Sequence, residues 1–224
     1  MTMRWIARGL AFTAAVAAPL SAQQEIQERL ANRVPPAVAA IVQQLGAAAA
    51  ARGLPIDPLI QKAIEGSAKG IPADRVATAV RVVAEQLDTA AAGLRDGGLA
   101  TPDTVAIAAG GFAINAGLSG RQIAELARAA ARSEVAVALR VAGTLAALGV
   151  PPAETVALVN ASLHAGQQPA DLLELPGKVR AEMARGVTPA QAAAALARAA
   201  AAQGRAGPPP RRGPPQDPPG RPRP

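Results

Sequence analysis

Seven times between Gly53 and Gly186 the chain repeats one piece of punctuation: a glycine, an apolar or small residue, then proline, serine or threonine. It stands at Gly53-Leu54-Pro55, Gly70-Ile71-Pro72 and Gly98 leading to Thr101-Pro102. It returns at Gly117-Leu118-Ser119, Gly149-Val150-Pro151, Gly166 leading to Pro169, and Gly186-Val187-Thr188-Pro189. Glycine stops a helix, and proline, serine or threonine opens the next, so the chain must be a series of helices joined by tight turns. The glycine intervals of 17, 28, 19, 32, 17 and 20 residues alternate short with long. That alternation predicts hairpins of a short and a longer helix at Gly53–Gly97, Gly98–Leu148 and Gly149–Gln203. A period of roughly 45–50 residues lies in the range of helical repeats. The expected fold is all-α, with roughly six or seven helices in consecutive hairpins, either a repeat-like array or an irregular bundle.

Gly53–Gly98 is the clearest unit. Asp57 is placed to cap a helix with Pro58 in its first turn. Leu59, Ile60, Ala63 and Ile64 form its apolar face, and Lys62, Glu65 and Lys69 its wet face. After Ile71-Pro72, Val76, Val80, Val83, Leu87, Ala91 and Leu94 recur three or four residues apart, the seam of a longer helix. Ahead of this unit, Gln23–Gly53 reads as a leading helix broken near Pro35-Pro36, with Glu25 and Arg29 paired one turn apart.

In the second unit Val105, Ile107, Phe112 and Ile114 stand among Ala106, Ala108, Ala109, Gly110 and Gly111. A helix apolar nearly all round is expected at the centre of the fold. Ser119 to Gln122 forms a capping box, and Ser133-Glu134 restarts the helix before Val135. In the third, Thr155–Ala165 is helical, and Pro176-Gly177 is expected to break or kink the helix that Pro169 opens. Thr188-Pro189-Ala190-Gln191 opens a last helix whose face is alanine with Leu196.

Half the chain is hydrophobic, but most of that is alanine, which forms helices readily and buries little area. Past the N-terminal segment the one aromatic residue is Phe112. The core is therefore leucine, isoleucine and valine against alanine and glycine, which requires closely approaching helices and favours self-association. Arginine in preference to lysine, with abundant alanine, glycine and proline, is what a GC-rich bacterial genome produces.

Met1–Ala22 has the form of an export signal: Arg4 and Arg8, an apolar run over Gly9–Ala18, then Pro19-Leu20-Ser21-Ala22 before Gln23. Its apolar run is shorter than the roughly 20 residues of a span, and Arg140 interrupts the best later candidate, Val135–Leu148. No transmembrane segment is expected after cleavage, and the localisation is exported, periplasmic or secreted. The tail Gly204–Pro224 holds nine prolines in 21 residues and lacks apolar side chains beyond Ala206. Polyproline II or disorder is expected there. Three segments result: 1–22 signal, 23–203 alanine-rich helical domain, 204–224 basic tail.

Of the net charge of +7, two units lie in the signal and four in the tail, leaving a body near +1. Leu118-Ser-Gly-Arg-Gln-Ile-Ala-Glu-Leu-Ala-Arg is similar to the opening of a bacterial helix-turn-helix over about a dozen residues. The turn glycine of that motif is missing, because Arg128–Arg132 continues as good helix. With an export signal and a nearly neutral body, no nucleic acid is expected as partner.

Catalytic residue types are scarce. The absence of cysteine removes disulfides, thiolate metal sites and thiol nucleophiles. His164, the single histidine, stands near a helix end where capping accounts for it, and Ser162 two residues away points elsewhere. Glu65, Glu85, Asp88, Glu125 and Glu182 are spread singly, most with basic neighbours. No catalytic, cofactor or metal site is expected. The best functional candidate is the tail, where Arg205, Arg211, Arg212, Arg221 and Arg223 suit contact with an anionic envelope surface.

The resulting expectation is an exported, non-enzymatic scaffold or binding protein of the cell envelope, with a protein or anionic-polymer partner. Two alternatives remain open. One is an envelope enzyme or accessory using carboxylates gathered in space. The other is a carrier of a small apolar ligand, which would need a dry cavity near Phe112.

Overall fold

The computed structural model describes Ala17–Ala206, with side chains from Gln23 to Arg205. Met1–Val16 of the expected signal and Gly207–Pro224 of the expected tail lie outside the described residues. The described chain is all-helical, with ten helices rather than six or seven. They are α1 (Ala17–Leu30), α2 (Pro36–Ala51), α3 (Asp57–Ala68), α4 (Ala73–Asp96) and α5 (Thr104–Asn115). After these come α6 (Gly120–Ala129), α7 (Val135–Ala147), α8 (Pro152–His164), α9 (Pro169–Ala184) and α10 (Pro189–Ala206).

All seven punctuation glycines have positive φ, between 67° and 111°. Each ends its helix in the same way. At the first, the Gly53 N–H donates to the Ala50 carbonyl and the Leu54 N–H reaches back to Ala49. These two bonds satisfy carbonyls that the helix end would leave bare. The residue after the glycine is Leu54, Ile71, Leu99, Leu118, Val150 or Val187 in six cases, and Gln167 in the seventh. Leu54, Leu99, Leu118 and Val150 are buried, so the turn is stapled to the core as well as hydrogen-bonded.

The helices stack in two rows. Even-numbered helices pack in the succession α2, α4, α6, α8, α10, and in the other row α5 packs on α7 and α7 on α9. This is the array form of the expected hairpins, but the units are less regular. The second and third contain three helices each, because α6 and α7 are separate and α9 and α10 share the third unit with α8. The break after α6 has no glycine. Ala130 turns to extended backbone (φ −86°, ψ 145°), so the expected helix through Arg128–Arg132 ends at Ala129. The helix-turn-helix likeness goes no further, since α7 is packed between α5 and α9 instead of standing free.

Close approach is the rule where helices cross. A Cβ on Gly93 would stand 2.6 Å from the Gly120 carbonyl oxygen, and one on Gly97 2.5 Å from the Ala127 Cβ. Gly93 lies in the last turn of α4 and Gly97 caps its end, and together they seat α6 against it. Around these contacts Leu59, Ile60, Leu87, Leu94, Ile123, Leu126, Leu139, Leu145 and Leu158 are fully buried.

Three local expectations are corrected. Asp57 is the first residue of α3, not its cap, and makes no capping hydrogen bond. Its carboxylate instead pairs with Arg29, which ties α3 to α1. Pro176 does not end α9, which runs on to Ala184 with Pro176 buried. Phe112 is not central: it is 40 % exposed and Val105 62 %, while Ala106, Ala109, Gly110, Gly111 and Ala113 form the inner face of α5. The capping boxes at Ser119–Gln122 and Thr188–Gln191 are present as expected. The last helix runs three residues past the expected boundary at Gln203.

Two alanine substitutions separate backbone strain from packing. A Cβ at Gly117 (φ 111°) or at Gly177, within α9, meets nothing within 4 Å. Gly117→Ala is expected to destabilise by about 1–2 kcal/mol, from the left-handed backbone alone. Gly177→Ala is expected to stabilise by about 0.5–1 kcal/mol, as alanine does in a helix. Urea unfolding of both variants measures the difference.

Candidate functional site

The second row is open at one place. α3 packs on α1, α2 and α4, but it does not pack along α5. Because α4 is 24 residues long, roughly 36 Å, it passes beneath both and forms a floor. The gap is a cleft of about 490 Å³, open to solvent. Val83 and Leu87 of α4 line its base, and Pro58, Gln61, Lys62 and Glu65 of α3 one wall. The other wall is Ala108, Gly111, Phe112 and Asn115 of α5, and Arg140 reaches it from α7.

Glycines shape this wall. A Cβ on Gly111 would meet Leu87 Cδ2 at 2.9 Å, and one on Gly110 the Ala90 Cβ at 2.9 Å, so α5 lies against α4. On the far side, a Cβ on Gly143 would fall 2.5 Å from Phe112 Cδ1. The Phe112 ring therefore rests on the bare backbone of α7, and no room remains beneath it. Arg140 precedes Gly143 by three residues, on the same face of α7. Ring and guanidinium are thus delivered to one end of the cleft.

The acidic groups of the cleft are committed. Asp57 is held by Arg29, whose own pKa is raised, first by that hydrogen bond. Glu65 pairs with Lys69 at 2.5 Å and Lys62 at 3.5 Å. The hydrogen bond from Lys69, then the charge of Lys62, holds the Glu65 carboxyl below its ordinary value. Gln86 donates to the Asn115 side-chain oxygen at 3.4 Å. Arg140 differs from these. It is the only charged residue of α7, and its guanidinium has no acidic partner among the described residues.

The residues singled out in the sequence are not drawn together. His164 is exposed and its Nδ1 lies 2.8 Å from the Asn160 carbonyl oxygen, one turn back in its own helix. Ser162 is fully buried, so the two do not form a pair. Asp88 is bonded by Arg52 at 2.6 Å, Glu182 by Arg185 at 2.6 Å, and Glu125 accepts from Asn160 at 3.0 Å. No group of three or more metal-binding side chains occurs among the described residues. No described helix is long and apolar enough to cross a membrane. Arg205 lies in the last turn of α10, while Arg211, Arg212, Arg221 and Arg223 lie outside the described residues.

Sequence reasoning placed a possible cavity near Phe112 but did not find which residues line this cleft. The signals available were the glycines at 110, 111 and 143 and a lone arginine in an apolar run. The cleft near Phe112 is open to solvent and is lined by amides and charged groups as well as apolar ones. No protein-family model, curated protein or solved structure matches this chain.

The Glu65 pairing is testable by titration. A carboxyl with a depressed folded pKa adds stability above its unfolded value, near ~4.3, and loses it as pH falls through the folded one. In wild type, the Glu65 side-chain carbon is expected to titrate below the ordinary glutamate range, and Lys69→Met should move the midpoint upward. A midpoint unmoved by that substitution contradicts the assignment.

Proposed function

We propose that this chain is an exported, non-enzymatic binding protein of the bacterial cell envelope, with the helical array as scaffold and the α3–α5 cleft as binding site. One observation carries the reading: the single aromatic residue of the helical body is exposed in the cleft, although smaller side chains fill the core. With 40 % of its surface exposed, Phe112 forgoes roughly 1 kcal/mol of burial, which a bound partner would recover.

The reading of export rests on the form of Met1–Ala22, a basic start followed by a short apolar run and small residues before Gln23. The enzymatic alternative needs a carboxylate free to move a proton, and both cleft carboxylates, Asp57 and Glu65, are engaged by cations. The basic tail is a second contact, to anionic polymers or lipid, through Arg205, Arg211, Arg212, Arg221 and Arg223.

Fractionation with intact-mass analysis tests the location: the expected product is envelope-borne and begins within a few residues of Gln23. A mature protein that retains Met1–Ala22 opposes it. Affinity capture from envelope extract with wild type, Phe112→Ala and a chain ending at Ala206 tests the site. A component retained by wild type and lost with Phe112→Ala supports the cleft. Loss only on truncation assigns binding to the tail instead, and identical recovery by all three contradicts both contacts.

A further inference from the structure

We propose that the α3–α5 cleft takes a small amphiphile bearing one carboxylate, a medium-chain fatty acid or a molecule of that shape. This rests on reading the cleft as the binding site and adds the chemistry of its occupant.

Arg140 supplies the charge. It stands in VAVALRVAGTLAA, with no other polar residue but Thr144, and its helix is otherwise committed to packing. The Asp57 and Glu65 carboxylates that could neutralise it are already held by Arg29, Lys62 and Lys69. Among the described residues, Arg140 is therefore the one cation of the cleft without an acidic partner. Guanidinium is planar and donates two parallel hydrogen bonds to a carboxylate. A single such charge suits a monoanion.

The apolar part is matched by Phe112, Val83, Ala108 and Pro58 on the floor and walls, with Leu87 beneath them. The lining residues of α3 run from Asp57 to Glu65, eight steps or about 12 Å of helix. A volume of about 490 Å³ is within the range of small-molecule sites. Gln61, Gln86 and Asn115 add neutral donors and acceptors at the open side, so the entry tolerates water around the head group.

Calorimetric titration of the purified chain with decanoate, decanol and decyl phosphate, each below its micelle concentration, tests the proposal. Decanoate is expected to bind about 10-fold or more tightly than decanol. Arg140→Gln should reduce decanoate to the decanol level and leave decanol unchanged, and Phe112→Ala should weaken both alike. Thermal melts control for folding: Arg140 has no acidic partner among the described residues, so Arg140→Gln should melt as wild type.

Equal affinity for decanoate and decanol, or full decanoate binding by Arg140→Gln, overturns the carboxylate. Tighter binding of decyl phosphate overturns the monoanion. If none of the three binds while Phe112→Ala still abolishes capture of an envelope component, the amphiphile is wrong and the cleft remains a binding site for something larger. If Phe112→Ala changes neither, both the occupant and the site are refuted.

Discussion

Helix backbones in this protein approach one another until little more than a glycine hydrogen separates them. Gly93 and Gly97 bring α4 onto α6, Gly110 and Gly111 bring α5 onto α4, and Gly143 receives the Phe112 ring of α5. The amino-acid supply makes this necessary. Alanine buries little area per residue, so cohesion must come from many short contacts, and dispersion falls away quickly when surfaces part. The seven glycine turns serve the same end. They reverse the chain within a few residues and pin each turn by two hydrogen bonds, which leaves the helices no slack to drift apart.

The cleft follows from this packing. Close contact on both sides of α5, to α4 and to α7, leaves no interior space for a ring, and Phe112 is displaced to the one place where the second row is open. That opening exists because α4 is twice the length of α3 and α5, and carries both without their touching along their lengths. A residue that would be the centre of an ordinary core thus becomes the feature of a surface. Arg140 arrives there because it stands one turn before the glycine on which the ring rests.

Much of the fold was legible in the sequence, for reasons that are local. All seven glycine stops are helix ends with left-handed backbone, since few other residues adopt that conformation cheaply. The Ser119 and Thr188 starts are correct because their hydrogen bonds close within four residues. What failed depended on partners distant in sequence. Asp57 has the form of a cap, yet Arg29 of another helix competes for it. Pro176 has the form of a breaker, but a buried position within the α7–α9 and α9–α10 packing holds the helix through it. The end of α6 at Ala129 has no glycine to announce it, although Ser133-Glu134 marks the restart of the helix at Val135. Phe112 was misplaced because apolar character all round does not reveal that neighbours come too close to admit a ring. The candidate site was the least legible, since its residues come from four helices and no helix contributes more than two adjoining residues at a time.

The central claim is that Phe112 lies across α7 at Gly143 and faces solvent in a preformed cleft. Phe112 is the single phenylalanine beyond the expected signal, so its ring protons are unambiguous in an NMR spectrum of the mature chain. Proton NOE measurements, with and without a soluble paramagnetic agent, test the claim directly. The expected result is strong cross-peaks from the ring to the Gly143 Hα protons together with marked broadening by the agent. A ring shielded from the agent, with no contact to Gly143, would return Phe112 to the core and leave the cleft without its defining wall.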